Sequence, residues 1–152
     1  MKLTTKGRYA IIAMVDIALR GNNSPVSLGE IAKRQEISLS YLEQLFSKLK
    51  SGSLVKSIRG PGGGYILDRD PSEITFFEII TSVDENMDQT QCGGAMNCNN
   101  AKPCLTHYVW SELTDKIQNY MKGISLGDVI NRSDVKNIIN KRKEHEYGNK
   151  LT

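Results

Sequence analysis

Every cysteine of the 152-residue chain, and one of its two histidines, falls in the segment QCGGAMNCNNAKPCLTH at positions 91–107. Cys92, Cys98 and Cys104 stand with five residues between neighbours, and His107 follows Cys104 three positions later. Three thiols cannot all pair within one chain, and a reducing cytoplasm keeps thiols free, so metal binding or thiol reactivity comes ahead of a disulfide framework. A structural zinc ion takes Cys3His tetrahedrally, but zinc motifs usually present paired C-x2-4-C knuckles, which are absent. A nucleophilic thiol needs one privileged cysteine rather than three spread evenly. A redox or iron–sulfur sensor needs thiolate ligands in a loop that orders on binding and relaxes on loss, and this segment offers both. Spacing by itself does not decide between iron and zinc.

The elements that would position these donors are readable on either side. Residues 84–103 are polar, rich in Gly and Asn and without periodicity, which predicts a loop, and one this long is functional or disordered. Helical spacing starts at Cys104 and runs through Trp110, Leu113, Ile117, Tyr120 or Met121, and Ile124. Cys104 and His107 then share a face of the first helical turn, where the helix N-terminus lowers the cost of thiolate charge. Gly123 and Ser125 end this helix and cap a short last one, so residues 104–131 form a long dimerisation helix and a short final helix. An apolar stripe on so long a helix needs a covering surface. A second copy gives a two-fold dimer, and the alternative is packing against the chain's own first domain. Residues 132–152 are mostly charged and are expected to be a disordered tail, with His145 solvated in it.

Residues 1–83 predict a winged helix-turn-helix. Thr5 can cap a first helix with Tyr9, Ile12, Ala13 and Ile17 buried, ending in the breakers Gly21-Asn22-Asn23-Ser24-Pro25. Ser27 and Glu30 form a capping box for a short second helix. Ser38 caps a third, with Leu42, Leu45, Phe46 and Leu49 on its apolar face and Ser40, Tyr41, Glu43, Gln44, Ser47 and Lys48 opposite. Two β-prone runs follow, Leu54 to Arg59 and Tyr65 to Leu67, joined by Gly60-Pro61-Gly62-Gly63-Gly64, which predicts a hairpin wing. No Gly-Lys-Ser/Thr and no helix start follow the glycines, which argues against a phosphate-binding loop. Thr75 and Glu78 form a further capping box, opening a helix with Phe77, Ile80 and Val83 inward. The fold class is therefore mainly α with a small β-hairpin wing.

With a wing beside it, the third helix suits a DNA major groove. Gln44 has the geometry to bridge adenine N6 and N7, and Glu43 can accept from cytosine N4. Arg59, beside Gly60 at the hairpin tip, suits a narrow minor groove or a phosphate. Ser38, Ser40, Tyr41 and Lys48 complete the outer surface. Lys6 and Arg8, with Lys2, are expected to add phosphate contacts at the start of the first helix. Taken singly, polar residues on an outer helix face are ordinary solvated positions; the combination of recognition helix and basic wing is what points to double-stranded DNA.

Composition agrees and excludes other classes. Hydrophobic residues at 39% and charged residues at 24% fit a folded soluble protein, and the net charge of +3 permits nucleic-acid binding. YAIIAMVDIAL is interrupted by Asp16, is shorter than the roughly 20 residues a span requires, and lacks a cleavage site, so no membrane role and a cytoplasmic location are expected. No cofactor fingerprint or acid–base pair marks an enzyme.

The stretches LTTKGRYA, ISLSYLEQLFSKL, RGPGGGY, VDE, the C-x5-C-x5-C-x2-H set, CLTHYVW and ISLGDVIN together resemble the IscR family, the winged-helix iron–sulfur cluster regulators of bacteria. The resemblance extends to about Asn131. It implies a homodimer with one 2Fe-2S cluster per subunit, obtained from the cluster-assembly machinery, and a transcriptional repressor or activator of cluster-biogenesis genes according to cluster occupancy. It implies Cys92, Cys98, Cys104 and His107 as ligands and Ser40, Glu43, Gln44 and Arg59 as base readers. It also implies that the cluster-bound form represses one class of sites while a second class is bound with or without cluster. Replacing one thiolate by neutral imidazole would raise the cluster potential and make the histidine a proton-sensitive weak point.

Overall fold

The computed structural model of the chain describes residues 4–20, 24–90 and 92–150, the last seven by backbone alone. Lys2, the centre of the first predicted turn at residues 21–23, and the side chain of His145 lie outside the described residues. Helix α1 (Thr5–Leu19) begins one residue earlier than a Thr5 cap implies: Thr4 is the N-cap and makes no side-chain cap bond. Its buried side is Ala10, Ala13, Met14 and Ile17, whereas Ile12, expected inside, is 39% exposed. Residues 9–19 are apolar almost all round, so periodicity alone left the inward face ambiguous.

Helix α2 (Leu28–Gln35) carries the Ser27–Glu30 capping box and ends at Glu36 in the left-handed region. Helix α3 (Leu39–Ser51) starts at Ser38, whose Oγ accepts from the Tyr41 N–H. Leu42, Leu45, Phe46 and Leu49 are all buried, the expected face. Each such side chain contributes about 1.5–3 kcal/mol of burial, so α3 is fixed in rotation and its polar face must point out. Asp16 of α1 stitches α1 to α2: its carboxylate takes two bonds from Arg34, at 2.7 and 3.1 Å, and one from Gln35 at 2.8 Å.

Strands β1 (Val55–Ile58) and β2 (Gly64–Leu67) form the antiparallel wing, in register Val55 to Leu67 and Ile58 to Gly64. Val26 bridges Tyr65, extending the sheet toward α2. This approach requires glycine at 64, where a Cβ would lie 2.4 Å from the Val26 carbonyl. A 3-10 turn at Pro71–Glu73 leads to α4 (Phe76–Ser82), opened by the Thr75–Glu78 box. Ile79, Ile80 and Val83 face the core; Phe77, expected inward, is only half-buried, with Lys122 Nζ 4.6 Å above its ring.

After the loop come α5 (His107–Gly123), α6 (Leu126–Ile130) and α7 (Ser133–Lys150). The chain returns to the first domain at Leu126, which is fully buried, through Phe76 N to Ile124 O and Leu126 N to Ile74 O. Two sequence expectations change here. The long helix begins at His107 rather than Cys104, because residues 104–106 form the turn that closes the loop. Residues from Ser133 form α7 rather than an unstructured tail. Arg132 and Asp134 pair at 3.0 Å at its start, and Val135 and Ile139 line, with Ile11, Ile12 and Val15, a cleft of about 540 Å³ against α1. The remaining expectation holds: the architecture is mainly helical with a two-stranded wing.

Candidate metal centre and nucleic-acid interface

The loop between α4 and α5 is held by its own polar side chains. Asp88 accepts from the Thr90 N–H and hydroxyl, Thr90 Oγ1 accepts from the Gly94 N–H, and the Gln89 N–H reaches Thr114 Oγ1 of α5 at 2.9 Å. These turns bring the far end of the loop back over the start of α5. There His107, 4% exposed, turns Nδ1 toward two sulfurs, Cys92 Sγ at 3.5 Å and Cys98 Sγ at 3.8 Å. One donor atom from each of the three residues lies within 4.8 Å of the others. Cys104 stands at the edge of this group. Its N–H donates to Cys98 Sγ at 3.0 Å, while its own sulfur lies 3.9 Å from Thr106 Oγ1. The structure thus gathers three of the four predicted donors and leaves the fourth one hydrogen bond away.

Local electrostatics separates the thiols. Burial pushes the Cys92 thiol up, but the backbone N–H groups of Met96, Gly94 and Asn97 and the Thr90 hydroxyl outweigh it and bring it down to about 6. For Cys98 the Cys104 N–H favours the thiolate, but its own donation to the Cys104 and Cys92 sulfurs, with burial, raises it. Cys104 is lowered, first by accepting from the Cys98 thiol and then by the Thr106 N–H. Two thiolate-favouring sulfurs, a third thiol between them and a buried imidazole are the donor set that a soft metal ion or an iron–sulfur group requires. The residues fit such a group.

On the other face, α3 presents Ser38, Ser40, Glu43, Gln44 and Lys48 to solvent. Ser38 Oγ and Ser40 Oγ are 3.0 Å apart. Tyr41 is half-buried and meets Tyr9 edge-on at 5.9 Å, so its ring belongs more to the core than to the outer surface. Arg59 and Gly60 lie exposed at the wing tip, Gly60 with φ of 99°. Lys50, not singled out in the sequence, donates to Ser57 of β1 at 2.9 Å and braces helix against wing. Arg8 is exposed at the start of α1.

Two further residues escaped the sequence reading. Asp84, at φ of 59°, accepts from Lys48 Nζ at 2.9 Å through its carboxylate and from Lys6 Nζ at 3.0 Å through its carbonyl. Glu85, 8% exposed, accepts from the N–H groups of Thr4 and Gly7 and from the Thr4 hydroxyl, and so supplies the N-terminal cap that Thr4 does not. Burial raises the Glu85 carboxyl, yet these bonds and the Lys6 charge hold it below its ordinary value. The available signal was Val83-Asp84-Glu85 itself, an acidic pair at a helix end where it opposes the helix dipole and so needs a partner elsewhere.

A helix-turn-helix with an exposed polar third helix, a glycine-tipped hairpin beside it and a basic helix start define a winged-helix DNA-binding protein. The chain belongs to the Rrf2 family, iron-dependent transcriptional regulators, whose family model matches residues 3–132. It is 51% identical over 148 residues to a helix-turn-helix transcriptional regulator of Azotobacter vinelandii, covering 97% of this chain and 90% of that protein. It is 47% identical over 146 residues to the regulator IscR of Escherichia coli, covering 96% and 90%. Similar solved structures include T. potens IscR, with a TM-score of 0.71 at 38% identity over 86% of both chains. CymR, the global cysteine regulator of B. subtilis, superposes with a TM-score of 0.73 at 32% identity over 85% of this chain and 95% of that one. The protein is thus an IscR-like DNA-binding transcriptional regulator; its relatives are regulators, not enzymes. No helix among the described residues is long and apolar enough to cross a membrane.

Proposed function

We propose that the protein is a cytoplasmic iron–sulfur-cluster-sensing regulator, which binds operators as a homodimer and represses or activates cluster-biogenesis genes according to occupancy. The observation that carries this reading is the approach of Cys92, Cys98 and His107 donor atoms to within 4.8 Å of one another at the buried start of α5, in an IscR-like chain. In this reading Cys92, Cys98, Cys104 and His107 hold a 2Fe-2S cluster received from the assembly machinery. Cys104 completes the set when its sulfur turns from Thr106. A bound cluster supplies a one-electron redox centre whose presence reports iron and sulfide supply. His107 would supply one neutral nitrogen donor beside the three thiolates.

On the DNA side, Gln44, Glu43, Ser40 and Arg59 read bases, while Ser38, Lys48, Gly60, Lys6 and Arg8 line the backbone contacts. Tyr41 supports α3 from behind. Glu43 rejects bases that lack a donor, so a small shift of α3 changes which sites are tolerated. Leu105, Tyr108, Val109 and Tyr120 are exposed along α5 and its start, Leu105 completely so. An apolar surface of this kind supports dimerisation through α5.

Protein isolated without oxygen is expected to be coloured and to contain iron and acid-labile sulfide in equal amounts. Colourless protein with stoichiometric zinc and no iron would instead assign the same donors to a structural ion. Cys92→Ala is expected to abolish the colour and alter operator binding. Gln44→Ala is expected to weaken specific operators far more than random DNA, and an equal loss on both reduces Gln44 to a positioning contact.

A further inference from the structure

We propose that Asp84 is a built-in competitor of the DNA backbone, occupying Lys48 and Lys6 in the free protein so that phosphate must displace it; this rests on the reading of α3 as the DNA-facing helix. The two lysines come from different elements, Lys48 from the outer face of α3 and Lys6 from the first turn of α1. Asp84 gathers both, through a carboxylate oxygen at 2.9 Å and a carbonyl oxygen at 3.0 Å. These oxygens offer what a phosphate offers, an anionic or polar acceptor at ammonium hydrogen-bond distance.

Three features make Asp84 a competitor rather than a fixed brace. First, the ion pair is open to solvent, with the Lys48 side chain 45% exposed and that of Asp84 71% exposed, so it is screened and easily exchanged. Second, the backbone that carries the carboxylate stays in place when the lysines leave. The next residue, Glu85, is buried and tied to the Thr4 and Gly7 N–H groups, which pins the turn against α1. Third, Asp84 is then left as an uncompensated anion beside the phosphate path, opposing duplex of any sequence equally. This penalty is common to operator and random DNA and leaves their affinity ratio unchanged, but it weakens both, and only an operator has base contacts to add against it. The same turn opens the loop that carries Cys92, so the competitor and the donor group share one segment.

The test is titration of the full chain into a labelled random-sequence duplex of about 30 base pairs, by fluorescence anisotropy, from about 50 to 300 mM salt. Asp84→Asn is expected to tighten binding about three- to fivefold at the low-salt end, the size of one exposed ion pair. It should also steepen the slope of log K against log salt by about one, because the lysine charge is no longer handed back to a carboxylate. A merely structural residue would not move this slope. Asp84→Gly, which also accepts the left-handed backbone, should behave alike. In a chain carrying Lys6→Gln and Lys48→Gln, Asp84→Asn should give a clearly smaller gain, the part due to repulsion of the phosphates alone. Unchanged affinity and slope in Asp84→Asn, or the same gain persisting without the two lysines, overturns the proposal. A wild-type chain that binds no duplex defeats the assignment of α3 itself, which is distinct from a flat Asp84 series on a chain that binds.

Discussion

Removing the Glu85 carboxylate should unfasten the N-terminus of α1 at a cost that can be worked out from its partners. Gly7 is buried and its N–H donates to Glu85 Oε2 at 2.9 Å, whereas Thr4 is exposed and can turn to water. Glu85→Ala therefore leaves one buried donor unsatisfied, about 1–3 kcal/mol, and removes a negative charge from a helix N-terminus, about 0.3–1 kcal/mol. The expected loss is about 2–3 kcal/mol. Glu85→Gln keeps an acceptor and loses only the charge, so about 0.5–1 kcal/mol is expected. Urea unfolding at fixed protein concentration checks both: with a slope of about 2 kcal/mol/M, the midpoint falls by about 1 M for Ala and by less than half that for Gln. The Glu85 carboxyl is held below its ordinary value of 4.5. Its contribution is therefore complete above that value and fades as pH falls through the lower folded value, so the gap between wild type and Glu85→Ala should close in acid. A second variant sharpens the reasoning. Gly7→Ala in a helix normally gains about 1 kcal/mol, but here the new Cβ would meet Glu85 Cγ and Oε2 at 3.1 Å. Gly7→Ala should fail to stabilise the wild type and should stabilise Glu85→Ala. Equal costs for Gln and Ala, or additive Gly7 and Glu85 effects, refute the account.

Other outcomes follow from the same structure. Asp16→Ala should lower stability by about 2–4 kcal/mol in urea unfolding, because the Arg34 and Gln35 donors lose a carboxylate that is 2% exposed. Gly64→Ala should cost at least about 2 kcal/mol and disturb the wing, since its Cβ would meet the Val26 backbone at 2.4 Å. In metal-free protein, Cys92 should alkylate with a pH midpoint near its lowered value of about 6, ahead of Cys98, whose thiol is raised. Mass mapping of the first modified cysteine decides it.

The parts of this fold that could be read in advance are those where one side of an element meets the core. Leu42, Leu45, Phe46 and Leu49 recur at helical spacing among polar residues, so the rotation of α3, and with it the outward face of Gln44, followed directly. In α1 both sides are apolar, and Ile12 was placed inside although Met14 takes that position. In α7 the pair Val135 and Ile139 was hidden among lysines, arginines and asparagines, and only the cleft they line with Ile11, Ile12 and Val15 shows which side of the helix faces α1. The thiol segment was legible as a donor set, but not the standing apart of Cys104, which depends on how the turn before His107 closes. Nothing local in the sequence joins Glu85 to Gly7 across 78 positions. Such contacts exist only once the whole chain is arranged.

The partial gathering of the donors has a practical consequence. Cys92, Cys98 and His107 already stand together, so on the proposed reading much of the ordering cost of capture would be met before any inorganic partner arrives. On that reading the growth medium and the handling of a preparation, as well as the polypeptide, would decide what is found at the start of α5.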